Sequence, residues 1–255
     1  NLSSRLNFNI TLKTKFMNKE TIDVTFDFTL DSNGRDPDAS SPTLKRYHQL
    51  LWSKKLPNGY MFDLNPDGNY IGHNSKIGKF YLTSDSIIHT YSKWKRTQEL
   101  LSSINNEEIK AVLDLSHTIG GYIIYPGKKI NGLSTFNQER GTNYQINDRF
   151  DLTLECIRRF YNQNQDSPLG EVINRYHDFF ELFSTFKGYC EFFLLQDLVN
   201  EDFNQIKFFL PFNEFESNPL PRNINEYRGY LENIKRFVIS RNKRIQDHCE
   251  KFIYI

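Results

Sequence analysis

The period of the apolar residues changes near the middle of the chain, and this change limits the folds that the chain can adopt. Before it, apolar and polar residues alternate over residues 11–16 and 21–30, which is the period of a half-buried strand. After it, apolar residues recur every three or four positions on one helical face: Phe150, Leu154, Ile157 and Tyr161. The pattern predicts an α+β protein. We expect a strand-rich N-terminal half (1–147, with one or two helices) packed against a helical C-terminal half (148–255), together forming one compact domain.

Cap and turn residues predict where the individual elements begin and end. Ser41 followed by Pro42 is typical of a helix start, and this helix is expected to run to about Ser53. Asp148 is expected to cap the helix that follows it. The other predicted helices cover residues 92–115, 170–184, 186–200 and 224–252. The other predicted strands cover residues 60–64, 79–82, 121–125 and 207–212, with a turn at 18–19 and loops at 31–41 and 135–147.

The composition excludes several classes of protein. With 32 basic and 31 acidic side chains, the net charge of +1 is too small for a general nucleic-acid coat protein. Aromatic residues make up 15% of the chain, which excludes wholesale disorder. The most apolar stretch, residues 179–199, is interrupted by charged residues, so we expect no membrane span. The sequence starts without an apolar run of signal-peptide length, and a cytoplasmic location is expected.

The cysteines predict neither a disulfide framework nor a zinc site. There are three, Cys156, Cys190 and Cys249, and they are far apart in the sequence. An odd count without paired spacing lacks the signature of either structure. We expect three reduced thiols.

Two glycine-containing stretches bear on phosphate binding. Residues 72–80 resemble a phosphate-binding loop, but five residues separate the glycines instead of four, and Phe80 stands where a metal-binding hydroxyl is needed. A hairpin turn is the preferred interpretation. Gly120 and Gly121 precede an apolar strand and allow close approach of either a ligand or another chain segment. They are candidate ligand-binding residues, although the structural interpretation is favoured.

Polar side chains are dense around the start of the helix predicted at residue 148. Asp151 and Glu155 are four residues apart, so their like charges are neighbours on the helix. In a structural interpretation, Arg158 and Arg159 neutralise them. In a functional interpretation, Asp151 or Glu155 is a catalytic acid or base, or a metal ligand. That interpretation adds four residues that would bind the ligand and its phosphate: Asn137, Arg140, Arg149 and Arg158.

A further set of acidic and histidine residues is scattered through the first half: Asp36, Asp38, His48, Asp85 and His89. His48 shares a helical face with Leu44 and Leu51, which is typical of a hydrogen-bonded core histidine. The carboxylates and histidines would bind a metal only if the fold gathered them. Metal use and cofactor therefore stay open.

The last predicted helix holds an alternative site. Arg241 and His248 are seven residues apart on its apolar face, and their directions differ by only about 20°. An arginine, six residues and a histidine resemble the signature of the HEPN ribonuclease superfamily. The resemblance implies RNA cleavage at a site shared by a homodimer, as in toxin or phage-defence systems, with His248 as acid or base and Arg241 on the phosphate. The strand-rich first half is not part of a HEPN bundle.

Seven longer motifs together resemble an uncharacterised bacterial family, a domain of unknown function. They are DPDASSPTLKRYH (36–48), LWSK (51–54), LPNG (56–59), SDSI (84–87), IGGYII (119–124), DRFDLTLECIRR (148–159) and FFLLQDL (192–198). The resemblance covers about residues 24–245. It implies a bacterial origin and a single compact unit, but no activity and no catalytic residue.

Three classes of function follow from these features. The preferred one is an enzyme or binding protein for a phosphate-bearing ligand, a nucleotide or nucleic acid. Its polar clusters fall at predicted turns and helix starts, where ligand sites are commonly built. The second is the HEPN-like ribonuclease. The third is a non-catalytic protein-interaction module, for which the 22 Phe, 14 Tyr and 2 Trp would supply apolar surface.

Overall fold

A computed structural model describes residues 21–92, 94–164 and 166–251 of the chain. The strand predicted at residues 11–16 and the turn at 18–19 lie outside the described residues. Within them, strands lie mostly in the N-terminal half and helices dominate the C-terminal half. The predicted α+β class is confirmed. None of the helices in these three ranges has the length and apolarity needed to span a bilayer.

The main sheet consists of four antiparallel strands in the order β3–β4–β5–β6. These strands are β3 (Asn65–Asp67), β4 (Tyr70–Ser75), β5 (Gly78–Ser86) and β6 (Tyr122–Pro126). A separate antiparallel pair consists of β1 (Lys54–Lys55) and β2 (Met61–Phe62). Ser75 lies opposite Gly78 in the register of β4 and β5, so the hairpin interpretation of residues 72–80 is confirmed.

Ten α-helices are found in the described residues. They are α1 (Pro37–Ser40), α2 (Pro42–Trp52), α3 (Lys95–Leu101), α4 (Asn106–Ser116), α5 (Phe136–Thr142), α6 (Phe150–Tyr161), α7 (Gly170–Arg175), α8 (His177–Glu181), α9 (Phe186–Phe192) and α10 (Ile224–Lys251). Short 3-10 helices cover Phe28–Asp31, Ile119–Gly121 and Gln196–Leu198. The cap predicted for α2 is confirmed, because the Ser41 hydroxyl oxygen accepts a hydrogen bond from the Leu44 amide at 3.0 Å.

The strand predicted over residues 21–30 is wrong. Asp23 accepts a hydrogen bond from the Thr25 amide at 2.9 Å, and Asp27 accepts one from the Thr29 amide at the same distance. These local bonds turn the backbone away from an extended ladder, and a 3-10 helix begins directly after Asp27. The alternation of residue types therefore does not produce a strand here.

The loop predicted over residues 135–147 contains helix α5, and the loop over 31–41 contains α1. Thr135 and Gln138 form a capping box: the Thr135 hydroxyl oxygen accepts from the Gln138 amide, and the Gln138 side chain accepts from the Thr135 amide. Asp148 is not the cap of the next helix. Its φ is +58°, and α6 begins at Phe150 after Arg149.

Two predicted helices are divided and one predicted strand is absent. Residues 92–115 form α3 and α4, because Asn105 caps a new helix by accepting a hydrogen bond from the Glu107 amide. Residues 170–184 form α7 and α8, with Tyr176 (φ −108°, ψ 25°) between them. Residues 207–212 form no strand. The amide of Phe209 donates instead to the Asp151 carboxylate at 2.8 Å.

Helix α10 packs against α4 and the turn at Ile119–Gly121, so it joins the two halves of the chain. A Cβ atom on Gly120 would lie 2.6 Å from Asn242 Oδ1 and 2.8 Å from the Val238 carbonyl oxygen. One on Gly121 would overlap the Ser116 carbonyl oxygen. Both glycines are thus used for close approach of chain segments.

Candidate functional site

The last residues of β5 have a strand partner on only one side in the described structure. β4 pairs with residues 78–82 of β5, whereas β6 pairs with residues 82–86. Asp38 on α1 occupies the vacant side. Its Oδ2 accepts a hydrogen bond from the Ser86 amide at 3.1 Å, and its Oδ1 accepts one from the Ser84 hydroxyl at 3.3 Å. The carboxylate is therefore fixed to the sheet edge.

Asp38 titrates near neutral pH. Burial, helped by the negative charge of Asp36, raises the pKa of Asp38 to about 7. The hydrogen bonds from Ser86 and Ser84 and the charge of Arg140 lower that pKa, but by less. At neutral pH such a group is present in both its protonated and its ionised form. This is the property that a general acid or base needs.

A chain of buried side chains supports Asp38 from α2. The Trp52 indole N–H donates to His48 Nδ1 at 3.0 Å, which places the imidazole proton on Nε2. His48 Nε2 lies 2.9 Å from Ser84 Oγ and donates to it. Burial lowers the pKa of His48 to about 3, so the ring is neutral at pH 7.

The direction of this chain argues against a serine nucleophile. In a nucleophilic triad the histidine accepts the serine proton. Here His48 donates to the Ser84 oxygen, and the Ser84 proton goes to Asp38. The arrangement therefore orients Asp38 and does not activate Ser84.

Arg140 lies on the other face of β5. Because successive strand residues point to opposite faces, Asp85 faces α5 while Ser84 faces α1 and α2. Arg140 is fully buried and forms an ion pair with Asp85. Its Nε donates to Thr153 Oγ1 at 3.0 Å. Burial raises the pKa of Asp85, and the neighbouring guanidinium opposes that rise.

A cleft with a volume of about 650 Å³ opens beside Asp38, and we call it the edge cleft. Its polar lining includes Arg35, Asp36, Asp38, Lys45, Thr83 and Ser84. Beside Thr83 and Ser84, the Asn137 side-chain nitrogen lies 3.5 Å from Thr83 Oγ1 and from the Ser84 carbonyl oxygen. The Asn137 side-chain oxygen is buried and has no hydrogen-bond partner among the described residues. Asn137 Oδ1 is thus a hydrogen-bond acceptor, beside two residues of the edge cleft, to which no described group donates.

A family model matches residues 22–245, which is most of the chain. The chain belongs to this family, a family of unknown function designated DUF6994. Comparison with curated proteins and with solved structures gives no significant match. Membership of DUF6994 confirms the resemblance found in the sequence motifs and brings no activity with it.

Three of the sequence motifs meet beside the edge cleft. Asp38 and His48 belong to the motif at residues 36–48, and Trp52 belongs to LWSK. Ser84 belongs to SDSI. The hydrogen bonds from Trp52 through His48 and Ser84 to Asp38 therefore join stretches that are far apart in the sequence.

The polar cluster predicted around α6 is separated by the structure into distinct ion pairs. Asp151 is fully buried and paired with Arg149, whose Nε lies 3.1 Å from Asp151 Oδ1. Glu155 is also buried and accepts hydrogen bonds from Arg158 at 2.7 and 2.8 Å. Arg140 contributes to neither pair, because it bonds Asp85. The candidates Asp151, Glu155, Arg149 and Arg158 thus neutralise one another pairwise.

Arg241 and the glycine pair lie together in the interior. Arg241 is fully buried, and its guanidinium donates to the carbonyl oxygens of Gly120, Tyr122 and Phe193 at 2.8–3.1 Å. His248 is half-buried and lines a different cavity. The structure therefore puts Arg241 and His248 in different environments.

The scattered acidic and histidine set is only partly gathered. Asp38, His48 and Asp85 lie around β5, and His89 Nε2 is 4.0 Å from Asp148 Oδ2. In the described part of the chain, no three His, Cys, Asp or Glu residues are close enough to hold a metal ion.

Sequence reasoning missed Arg35, Lys45 and Ser84 as candidate site residues. Ser84 lies within the SDSI motif of residues 84–87, and that motif was the available signal. Arg35 and Lys45 carry no signal in the sequence, because their importance comes from a cleft that forms only in the folded chain.

Proposed function

We propose that the protein binds a phosphate-bearing small molecule in the edge cleft and that Asp38 exchanges a proton with it. One observation carries this proposal. The Asp38 carboxyl group, held by Ser84 and Ser86, lines a cleft of about 650 Å³ that also contains Arg35 and Lys45, and burial raises its pKa to about 7. The proposal keeps the ligand class predicted from the sequence and moves the chemistry from Asp151 and Glu155 to Asp38.

The two cations of the edge cleft are available for an anion. Among the described residues, neither Arg35 nor Lys45 forms an ion pair, whereas Arg140, Arg149 and Arg158 each bond a carboxylate. A phosphate near Arg35 and Lys45 would gain charge-assisted hydrogen bonds without breaking an existing ion pair.

A neighbouring cleft of about 300 Å³, which we call the basic cleft, supports a ligand of nucleotide size. The ammonium groups of Lys79 and Lys128 lie 5.0 and 4.4 Å from the centre of the Tyr81 ring. Tyr81 and Lys128 line the basic cleft, while their chain neighbours Leu82 and Gly127 line the edge cleft. A ligand with an aromatic ring and more than one anionic group suits this combination.

The binding experiment is isothermal titration calorimetry with ATP, AMP, ribose 5-phosphate and inorganic phosphate. We expect at least one of the organic phosphates to bind, and Arg35→Ala or Lys45→Ala to weaken binding by about tenfold, because each removes a charge-assisted hydrogen bond. Lys207→Ala is the matched control, since Lys207 is exposed and lines neither cleft. No binding by any of the four, or unchanged affinity in both cleft variants, would overturn the proposal.

The pH dependence of the ligand affinity tests the role of Asp38 separately from the binding itself. A phosphate dianion disfavours the ionised carboxylate, so ionisation of Asp38 between pH 6 and 8 should weaken binding and oppose the gain from ionisation of the ligand phosphate itself. Asp38→Asn keeps the size of the side chain and an acceptor for the Ser86 amide. This variant lacks the opposing effect, so its affinity should rise more over the same range. Equal pH dependence in both proteins would exclude Asp38 as the proton-exchanging group.

The alternative of a HEPN-like ribonuclease gains no support from the geometry. Arg241 has no exposed surface with which to contact RNA, and three backbone carbonyls hold it. His248 lines another cavity.

A further inference from the structure

The basic cleft carries more positive charge than one phosphate group needs. Its charged lining residues are four cations and one carboxylate: Lys79, Lys128, Lys129, Arg175 and Asp178. Among the described residues, none of these cations forms an ion pair with a carboxylate, and the Asp178 side chain is 91% exposed to solvent. The uncompensated positive charge favours a partner with several phosphate groups.

The ring of Tyr81 holds two of these cations near one another. Lys79 Nζ and Lys128 Nζ both lie within 5.0 Å of the ring centre, and cation–π attraction offsets part of their mutual repulsion. The Tyr81 hydroxyl, and to a smaller extent the charge of Asp67, raise the pKa of Lys79, so this side chain is charged at neutral pH. Two ammonium groups are therefore in place before a ligand binds.

The loop that carries Lys128 and Lys129 is fixed at both ends by the end of α7. The Tyr176 hydroxyl donates to the Lys128 carbonyl oxygen at 2.9 Å, and Arg175 Nη1 donates to the Ser134 carbonyl oxygen at 2.6 Å. The backbone positions of the two lysines are thus set by the fold. A preorganised site of this kind loses less conformational entropy when a ligand binds.

Tyr70 connects the basic cleft to the edge cleft. Its half-buried ring lines the edge cleft, together with Arg35 and Lys45, and packs against the ring of Tyr81 with 5.6 Å between the ring centres. Cations and tyrosine rings therefore follow one another from the edge cleft into the basic cleft. A positively charged groove with aromatic rings along it is typical of surfaces that bind single-stranded nucleic acid.

We propose that the protein binds single-stranded nucleic acid along this surface, with one nucleotide in the edge cleft and its neighbours in the basic cleft. The inference rests on the proposed function, because it takes the edge cleft as the site of one phosphate-bearing nucleotide. The cations contact the backbone phosphates, and a base stacks on Tyr70. Contacts to phosphates carry no sequence information, so strands of different sequence should bind.

The test is fluorescence anisotropy of the full chain with labelled oligo(U) and oligo(dT) of about eight nucleotides, a length that one single-strand-binding domain covers. We expect both to bind at least about tenfold more tightly than AMP binds in calorimetry, because several phosphates are contacted at once. Equal affinity for the two would mean that only the shared backbone and bases are bound. Tighter binding of oligo(U) would mean that a 2′-hydroxyl is recognised as well.

The salt dependence assigns the phosphate contacts to the basic cleft. Each contacted phosphate of a single strand contributes about 0.7 to the slope of log affinity against log salt concentration. Lys128→Ala should lower that slope by about 0.7, whereas the control Lys207→Ala, at an exposed position outside both clefts, should leave it unchanged.

Stacking is tested at Tyr70 with a conservative variant. Tyr70→Ala should weaken strand binding by about tenfold, because the base loses its aromatic platform. Tyr70→Phe keeps the ring and should bind strands with nearly the affinity of the wild type.

The outcomes separate this inference from the proposed function. If strands bind no more tightly than AMP, or if Lys128→Ala leaves the salt slope unchanged, the strand surface is wrong while AMP binding keeps the edge cleft. If Arg35→Ala and Lys45→Ala change neither AMP nor strand affinity, the proposed function itself fails.

A membrane partner is the competing outcome. Ile130 and Leu133, in the loop of Lys128 and Lys129, are 38% and 51% exposed, and apolar and basic side chains together also suit an anionic lipid surface. Binding to phosphatidylserine-containing vesicles that Lys128→Ala weakens, without strand binding, would overturn the proposal.

Discussion

Asp38, Lys54 and Arg241 are held by neutral groups instead of an opposite charge. Asp38 is bonded by a backbone amide and a hydroxyl, Lys54 by a carbonyl, and Arg241 by three carbonyls. Burial raises the pKa of Asp38 and lowers the pKa values of Lys54 and Arg241. In each case the neutral form of the group is favoured. The burial of such a group lowers the stability of the folded protein. Asp38 and Lys54 each line a cavity. For Asp38, this contrast with the neutralised pairs around α6 is the basis of the proposed function.

The raised pKa of Asp38 should be visible in stability. Between about pH 4 and pH 7 the native Asp38 keeps its proton while the unfolded one loses it, so this group lowers stability as the pH rises. The side chain in Asp38→Asn cannot ionise, so the stability of this variant lacks the decrease. In urea unfolding at pH 5 and pH 8, we expect the variant to gain about 2–3 kcal/mol relative to the wild type at the higher pH.

The control for this measurement is Asp202→Asn, a change at an exposed carboxylate. Its stability should differ from the wild type by the same amount at both pH values. A pH-independent difference for Asp38→Asn would show that the native pKa of Asp38 is close to its unfolded value.

Arg241 should be far more important for stability than its neighbour Arg244. Arg241→Met leaves three buried carbonyl oxygens without their donor, which should cost about 3 kcal/mol or more. Arg244 pairs with Asp197 near the surface, and Arg244→Met should cost about 1 kcal/mol or less. The free energy of unfolding from urea titration measures both. Equal losses would contradict the structural role given to Arg241.

At the scale of elements, local signals predicted some boundaries well and others not at all. The Ser41–Pro42 start of α2 and the hairpin of β4 and β5 were predicted because side chains within a few residues determine them. The Thr135–Gln138 capping box is a local signal too, and it places a helix inside the loop predicted at residues 135–147. The break at Tyr176 carries no proline or glycine signal, and the absent strand at 207–212 depends on the Asp151 carboxylate, which is distant in sequence.

The glycine pair before β6 gives an element-scale test. Gly121→Ala would force a methyl group onto the Ser116 carbonyl oxygen and should destabilise the protein by about 2 kcal/mol or more. Gly229 on α10 has open space around its Cβ position, so Gly229→Ala should stabilise the protein by about 0.5–1 kcal/mol. Thermal unfolding by circular dichroism compares the two. A tolerated Gly121→Ala would contradict the close contact between the turn and α4.

At the scale of the molecule, the contacts of α10 link the two halves. Arg241 on α10 bonds Gly120 and Tyr122 at the start of β6 and Phe193 after α9. The α+β class was predicted correctly although residues 21–30 form no strand, because strands are present at the predicted positions 60–64, 79–82 and 121–125 and the helical period holds after residue 148. The sequence does not predict which arginine pairs with which carboxylate, because partners such as Arg140 and Asp85 are 55 residues apart.

We infer from these links that the chain unfolds as one unit. Near-ultraviolet and far-ultraviolet circular dichroism should report the same urea midpoint. Two separated transitions would mean that the strand-rich and helical halves unfold independently.

The most direct measurement is a carbon-13 NMR titration of the aspartate carboxyl carbons, with Asp38→Asn to assign the Asp38 signal. Without ligand, Asp38 should titrate near pH 7. With the organic phosphate that binds best, its pKa should rise, because a nearby phosphate disfavours the second negative charge, and the rise should be lost in Arg35→Ala. A pKa near 4, or one that no phosphate changes, would contradict the assignment of the edge cleft as the functional site.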